Sequence, residues 1–260
     1  MSNTLHALDL LDQSELSCKP ICVVFGDEPF LKQLVIKKLQ HQILGDDSDV
    51  PFALFDGKIA EWRDVIDELS TVSLFGGDTR LALIDPADEF VSTYRSQLED
   101  YVARPNATST LVLIVDSWPS NTRLYKAIDK TGLQIECRAP EIKRGKNKQL
   151  DTKRLCKWLS SLAKAQHATT LPAASAEALL ELVGPHLGLL DQALAKLALF
   201  TKPKEKITPQ LVNDVVGGWR AQTIWELVGA AASGDSATAL VELDRLLQSG
   251  EHPLALFGSI

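Results

Sequence analysis

The 260-residue chain carries 27 Lys and Arg against 34 Asp and Glu, a formal net charge of −7, and 45% of its residues are hydrophobic. The length sets two domains as the expectation, with three small ones as the variant, and the apolar content is enough for real cores. The acidic balance argues against an autonomous nucleic-acid binder, and no run approaches the roughly 18 apolar residues of a membrane span. Cys18, Cys22, Cys137 and Cys156 form no C-x-x-C pair for zinc or redox chemistry.

The first twenty residues, MSNTLHALDLLDQSELSCKP, contain acids and no basic opening stretch, so they do not read as a signal peptide. Reduced thiols and a cytoplasmic location are the resulting expectation. The apolar run ICVVF then leads into Gly26, four further residues, Leu31, Lys32 and Gln33. This is the frame of a phosphate-binding loop, G-x-x-x-x-G-K-[ST], with its second glycine and its hydroxyl replaced. Leu31 puts a branched side chain where backbone N–H groups should wrap phosphate. Gln33 has too long a reach for the Mg²⁺ ligand. Asp27 and Glu28 add negative charge, and Pro29 removes a donor. The residues favour a strand, a tight turn at Gly26 and a docking helix over a working nucleotide site.

Strand candidates follow at ICVVFG, PFALFDG, RLALIDPAD, STLVLIVD and LQIECRAP, with helices at about 29–44, 60–70, 89–103 and 121–130. The strand runs are continuously apolar, as in strands covered on both faces of a parallel sheet. The alternation predicts a doubly wound α/β domain over residues 1–140. Asp85 and Asp116 end two of the strands, and read as helix caps or turn formers.

Between the helix at 60–70 and the strand at 80 lies STVSLFGGDTR. Leu74 and Phe75 are adjacent, about 100° apart on a helical end, and followed by Gly76 and Gly77. One core cannot easily bury both. They form either a hydrophobic staple or a loop tucked on the sheet, or else an exposed plug for a partner's pocket.

From about residue 141 the pattern is helical. LDTKRLCKWLSSLAKAQ puts Leu155, Trp158, Leu159 and Leu162 on one stripe, and HLGLLDQALAKLALF does the same with Leu187, Leu190, Leu194 and Leu197. Ser175 is the expected N-cap of the intervening helix, which closes at Gly184, and Thr208 with Pro209 opens another. KPKEK at 202–206 reads as an exposed loop. This bundle is expected over 141–217, and a third unit over 218–260: a helix, a Ser-Gly-Asp turn, a second helix and the start of a third. That unit reads as incomplete by itself.

Charge is uneven along the chain. Residues 138–157 hold eight basic and two acidic side chains, whereas 1–137 hold 12 basic and 22 acidic ones. The segment, with Lys143, Arg144, Lys146 and Lys148, is either a solvated linker with a helix start or a contact to a phosphate backbone within an assembly.

The stretches VVFGDEPFLKQ, SLFGGDTRLALID, LVLIVDSWPSNTRLYKAI, LDQALAKLALF and IWELVGAAASGDSATALVELDRLLQSGEHPLALF occur in an order and spacing that resemble the delta subunit of the bacterial DNA polymerase III clamp loader. The resemblance implies an AAA+-like module, a helical lid and the start of a C-terminal collar domain, which in the family runs longer than this chain. It implies a subunit that binds and opens the sliding clamp during DNA replication, with no cofactor and no ATP hydrolysis of its own, inside a DNA-directed DNA polymerase holoenzyme (a nucleotidyltransferase). The implied partners are the sliding clamp, the ATPase and stator subunits, and DNA only within the assembly, with no membrane. The clamp-binding motif falls on Ser73, Leu74 and Phe75. The alternatives are a P-loop-type ATPase subunit and a delta-prime-like stator, although the stator's Ser-Arg-Cys motif is absent here.

Overall fold

The computed structural model describes residues 4–13, 19–45, 52–71, 80–144, 147–202 and 205–248. The chain divides into two compact units, Met1–Arg138 and Ala139–Ile260. Among the described residues, no helix is long and apolar enough to cross a membrane.

The first unit is built on β1 (Thr4–His6), β2 (Ile21–Phe25), β3 (Ala53–Phe55), β4 (Arg80–Ile84), β5 (Ser109–Val115) and β6 (Leu133–Glu136). They form one sheet in the order β1-β6-β2-β5-β4-β3, and every pairing is parallel. The doubly wound α/β expectation therefore holds. All five residues of β2 and all seven of β5 are buried, because crossover helices cover both faces of the central strands. The helices are α1 (Ala7–Asp12), α2 (Pro29–Leu44), α3 (Trp62–Ser70), α4 (Asp88–Thr93), α5 (Arg95–Ala103) and α6 (Arg123–Thr131). Leu31, Val35, Leu39 and Ile43 of α2 are buried at a four-residue spacing. The helix expected at 89–103 is two helices parted at Tyr94, whose ring lies 4.8 Å from that of Phe90. β1 and α1 were not expected from the sequence. β1 is three residues long at a sheet edge, too short for a periodic signal.

The second unit opens with an antiparallel hairpin, β7 (Glu141–Arg144) and β8 (Asn147–Leu150), which forms a sheet of its own. The sequence reading had only a linker and a helix start there. The bundle follows: α7 (Thr152–His167), α8 (Ala173–Val183), α9 (Leu187–Leu199) and α10 (Pro209–Val212). The two apolar stripes are buried as expected. Thr208 caps α10, accepting from the Leu211 N–H at 3.2 Å, with Pro209 in the first turn. A π-helical turn, Asn213–Gly217, leads into α11 (Gly218–Ser233). Gly234 then ends α11 in the left-handed region, and α12 (Ser236–Gln248) returns.

Ser175 is a correction. The helix begins two residues earlier, at Ala173 after Pro172, so Ser175 is inside it and fully buried. Its hydroxyl donates to the carbonyl of Ile207 at 2.6 Å, tying α8 to the strand-like segment before α10. Pro172 at the N-cap has no side chain that can accept, and its carbonyl takes the N–H groups of Ser175 at 3.0 Å and Ala176 at 2.9 Å. Ser175→Ala removes this donor at a buried carbonyl. It is expected to lower the unfolding free energy by about 1–2 kcal/mol, read as a shift of the urea midpoint at unchanged slope.

Candidate functional site

The C-terminal ends of β2, β4, β5 and β6 meet at one edge of the sheet, where parallel α/β folds place their ligands. β2 ends at Phe25, and Gly26 turns the chain with φ +133°. A Cβ at Gly26 would lie 2.1 Å from the carbonyl oxygen of Cys137, so only glycine fits. The turn is stitched to that neighbour at both ends. Cys137 N–H donates to Phe25 O at 2.7 Å, and Glu28 N–H donates to Cys137 O at 3.1 Å. The loop thus wraps a carbonyl oxygen of its own protein.

The N-terminus of α2 is occupied in the same way. The Glu28 carboxylate accepts from the Phe30 N–H at 3.2 Å, and Pro29 brings no donor. A helix N-terminus favours an anion, and here a side chain of the chain supplies it. Leu31 is 0% exposed and belongs to the core, whereas Gln33 is exposed on the opposite side of the helix.

Lys32 points back to the strand ends. Its Nζ lies 2.6 Å from Asp116 Oδ1, with the lysine side chain 13% exposed and the aspartate 83%. The lysine that would meet a phosphate is already paired. Burial pushes the Asp85 carboxyl above the usual carboxylate range, Lys32 opposes the shift and Asp116 adds to it. Burial likewise pushes the Cys137 thiol up to about 12, with Lys32 opposing and Glu136 and Glu28 adding. A thiol so held is no nucleophile near neutral pH.

Asp85 and Asp116 do not cap helices, which corrects half of the sequence reading. Both sit in bends just after their strands, while α4 starts from Ala87 without a side-chain cap and α6 from Thr122. Asp88 organises this edge instead. Its carboxylate accepts from the N–H of Asp116 at 3.1 Å and of Ser117 at 3.3 Å. The cleft beside it, lined by Arg95, Trp118 and Thr122 among others, holds about 170 Å³, below the roughly 300–1,000 Å³ of ligand pockets. Among the described residues, no group of three His, Cys, Asp or Glu side chains is placed to hold a metal ion.

Ser73, Leu74 and Phe75 lie outside the described residues, and so does Lys146. The flanks of the former segment are held firmly. Asn106 Nδ2 donates to Leu69 O at 2.8 Å near the end of α3, and Arg80 N–H donates to Thr108 O at 3.0 Å at the start of β4. Arg80 opens its strand, so this flank is at the sheet edge opposite Gly26. Lys143 and Arg144 belong to β7 and Lys148 to β8.

Sequence reasoning missed Cys137, Asp88 and the Lys32–Asp116 pair. The first acts through a backbone carbonyl, which leaves no residue-type signal. The third follows from β2 lying beside β5, a matter of strand order.

Residues 23–138 match the family described as DNA polymerase III, delta subunit. Among solved structures, the chain is similar to the DNA clamp loader delta protein YqeN of Bacillus subtilis, with 22% identity and a TM-score of 0.63 over 97% of this chain and 74% of that one. Weaker likenesses include Thermotoga maritima RuvB, at 12% identity and TM-score 0.42 over 95% of this chain and 86% of that one. Domain III of the replication initiation protein DnaA from the same organism has 14% identity and TM-score 0.41, over 81% and 89%. No curated protein matches the chain.

Restoring the loop's consensus residues tests the closed cradle. Leu31→Gly with Gln33→Thr should not create MgATP binding by titration calorimetry, because Cys137 O, Glu28 and Asp116 still occupy the site. It should destabilise the fold by about 3–5 kcal/mol, from a buried leucine lost and a glycine placed within a helix. Micromolar MgATP binding by that variant would show that only those two positions had closed the site.

Proposed function

We infer, from a delta-subunit domain spanning residues 23–138, that the chain is a clamp-loader subunit that binds and opens the sliding clamp without hydrolysing ATP itself. The observation that carries this reading is the internally filled phosphate loop. Gly26 is closed on Cys137 O, the α2 terminus is capped by Glu28, and Lys32 is paired with Asp116. A fold of the nucleotide-binding type with its cradle occupied by its own groups is suited to presenting surfaces.

In this reading residues 1–140 are an AAA+-like module, 141–217 a lid and 218–260 the start of a collar. Support comes from the π-helical turn at Asn213–Gly217, where the bundle gives way to the α11–α12 pair. The partners would be the clamp and the ATPase and stator subunits of the loader. The ATPase subunits would supply the nucleotide energy.

Ser73, Leu74 and Phe75 make the clamp contact. The flanks described above leave from the edge opposite the closed cradle, so a plug there does not compete with the loop. Opening a ring requires tighter binding to its open state than to its closed one, because equal affinity for both shifts nothing. Two apolar side chains that find their pocket only in the open clamp meet that requirement.

Leu74→Ala with Phe75→Ala is expected to weaken clamp binding by about 3–6 kcal/mol if each side chain is fully buried there, at roughly 1.5–3 kcal/mol apiece. The unfolding midpoint should stay nearly constant, as for surface residues. Clamp affinity by surface plasmon resonance and thermal unfolding of the same variant separate a plug from a core pair. An early-unfolding variant, or one that still binds and opens the clamp, overturns the assignment.

A further inference from the structure

We propose that the groove between α7 and α8 is a docking site for an amphipathic helix of a partner protein, one with an apolar stripe and a flank of lysine or arginine. The inference goes beyond the clamp-loader reading and does not rest on it.

The groove lies within the second unit, where β8 ends and α7 packs on α8. Leu150, Cys156, Leu180 and Pro185 supply its apolar lining, and it holds about 480 Å³. That is within the roughly 300–1,000 Å³ of ligand-sized cavities. Its walls are fixed from behind. Ser160 Oγ donates to Leu171 O at 2.8 Å, tying α7 to the chain that enters α8. Ser175 holds α8 to Ile207, and the Asp151 carboxylate caps α7 by accepting from Arg154 N–H at 3.0 Å. An occupant therefore finds the surface already formed, which lowers the entropy lost on binding.

The charge on this lining is one-sided. Two carboxylates, Glu177 and Glu181, stand against one ammonium, Lys153. Both glutamates are exposed and one turn apart on α8, a spacing at which like charges repel. Glu181 is in the last turn of α8, at the negative end of the helix dipole, and that turn contains no basic residue. Among the described residues, neither carboxylate has an ion pair or a hydrogen bond. Their field reaches the apolar floor: burial first, and then Glu177, push the Cys156 thiol above its ordinary range. A basic partner answers both glutamates and the helix end at once.

The walls also select the shape of the occupant. Both are helices whose backbone groups are bonded internally, so the groove offers no strand edge to an extended peptide. A helix brings its own backbone satisfied and inserts apolar side chains at i and i+3 or i+4. Lysine or arginine one turn apart on its flank then meets Glu177 and Glu181, which have the same spacing. A second copy of this chain presenting the same face would set cavity against cavity and forfeit dispersion contacts on both sides. Phosphate-bearing partners are repelled by the two carboxylates.

The test uses the full chain and two fluorescein-labelled synthetic helices of about 18 residues, long enough for appreciable helicity in water. Both carry leucine at i, i+4 and i+7. One has lysine at two flank positions a turn apart, and the other has glutamate there. By fluorescence anisotropy the wild type should bind the lysine helix about tenfold or more tightly than the glutamate helix, because like charges set opposite each other disfavour a complex. Glu177→Gln/Glu181→Gln keeps the size of two exposed side chains and should bring the lysine helix down to the level of the glutamate helix. Leu180→Arg, at a half-buried position, fills the groove and should abolish binding of both. Glu89→Gln/Asp100→Asn, an equal charge change at exposed positions of the first unit, should alter neither. The glutamine pair decides the question even where circular dichroism shows Leu180→Arg to be unfolded. The proposal is overturned if the lysine helix does not bind at about 1 mM, if the wild type binds both helices equally, if the preference survives the glutamine pair, or if the control matches that pair. Concentration-dependent dimerisation in sedimentation that the glutamine pair abolishes would also overturn it, in favour of a second copy of the chain.

Discussion

The carbonyl oxygen of Cys137 is the point on which the first unit turns. It sits where Gly26 leaves no room for a side chain, and it accepts the Glu28 N–H while the Cys137 N–H binds back to Phe25. β2 and β6 are parallel neighbours in register from Cys22–Leu133 to Phe25–Glu136, so one residue further on these backbones must meet. In a working phosphate loop that space and those donors belong to the ligand. Here peptide groups consume them.

The neighbouring groups follow from that closure. A helix N-terminus still favours an anion, and Glu28 provides it. The lysine kept from the loop frame still needs a counter-charge, and Asp116, brought close by the β2–β5 pairing, provides that. The exchange costs little because Asp116 is mostly in water, where an ion pair contributes at most about 1 kcal/mol. What results is an α/β unit whose nucleotide-type cradle is sealed by its own groups. Between α11 and α12, Leu227 and Leu246 are buried, while Trp225 of α11 and Leu240 of α12 remain 72% and 66% exposed.

How far the sequence could be read depended on the length of each signal. The α2 boundaries, the four-leucine stripe of α9 and the Thr208-Pro209 start of α10 were all legible, because each rests on periodicity or on a cap within a few residues. The β7–β8 pairing was hidden by charge: KRGKNK has the polarity of a linker, and strand pairing can be seen only by finding the partner. Ser175 misled because a hydroxyl near a helix start usually caps it, whereas here Ile207, thirty-two residues away, claims the bond.

The sequence by itself determined the alternation of strands and helices in the first unit, the helical run from α7 onward, the loss of the loop's second glycine and hydroxyl, and the concentration of cations at 138–157. These are local properties, settled by residue type and spacing. Only the tertiary structure decided what fills the vacated cradle, which acid answers Lys32, and that the basic stretch is a ribbon. Each of those depends on strand order and register, which bring together residues such as Lys32 and Asp116 that are 84 positions apart. No local pattern encodes such a pairing, because either residue alone is compatible with many partners until the sheet places one beside it.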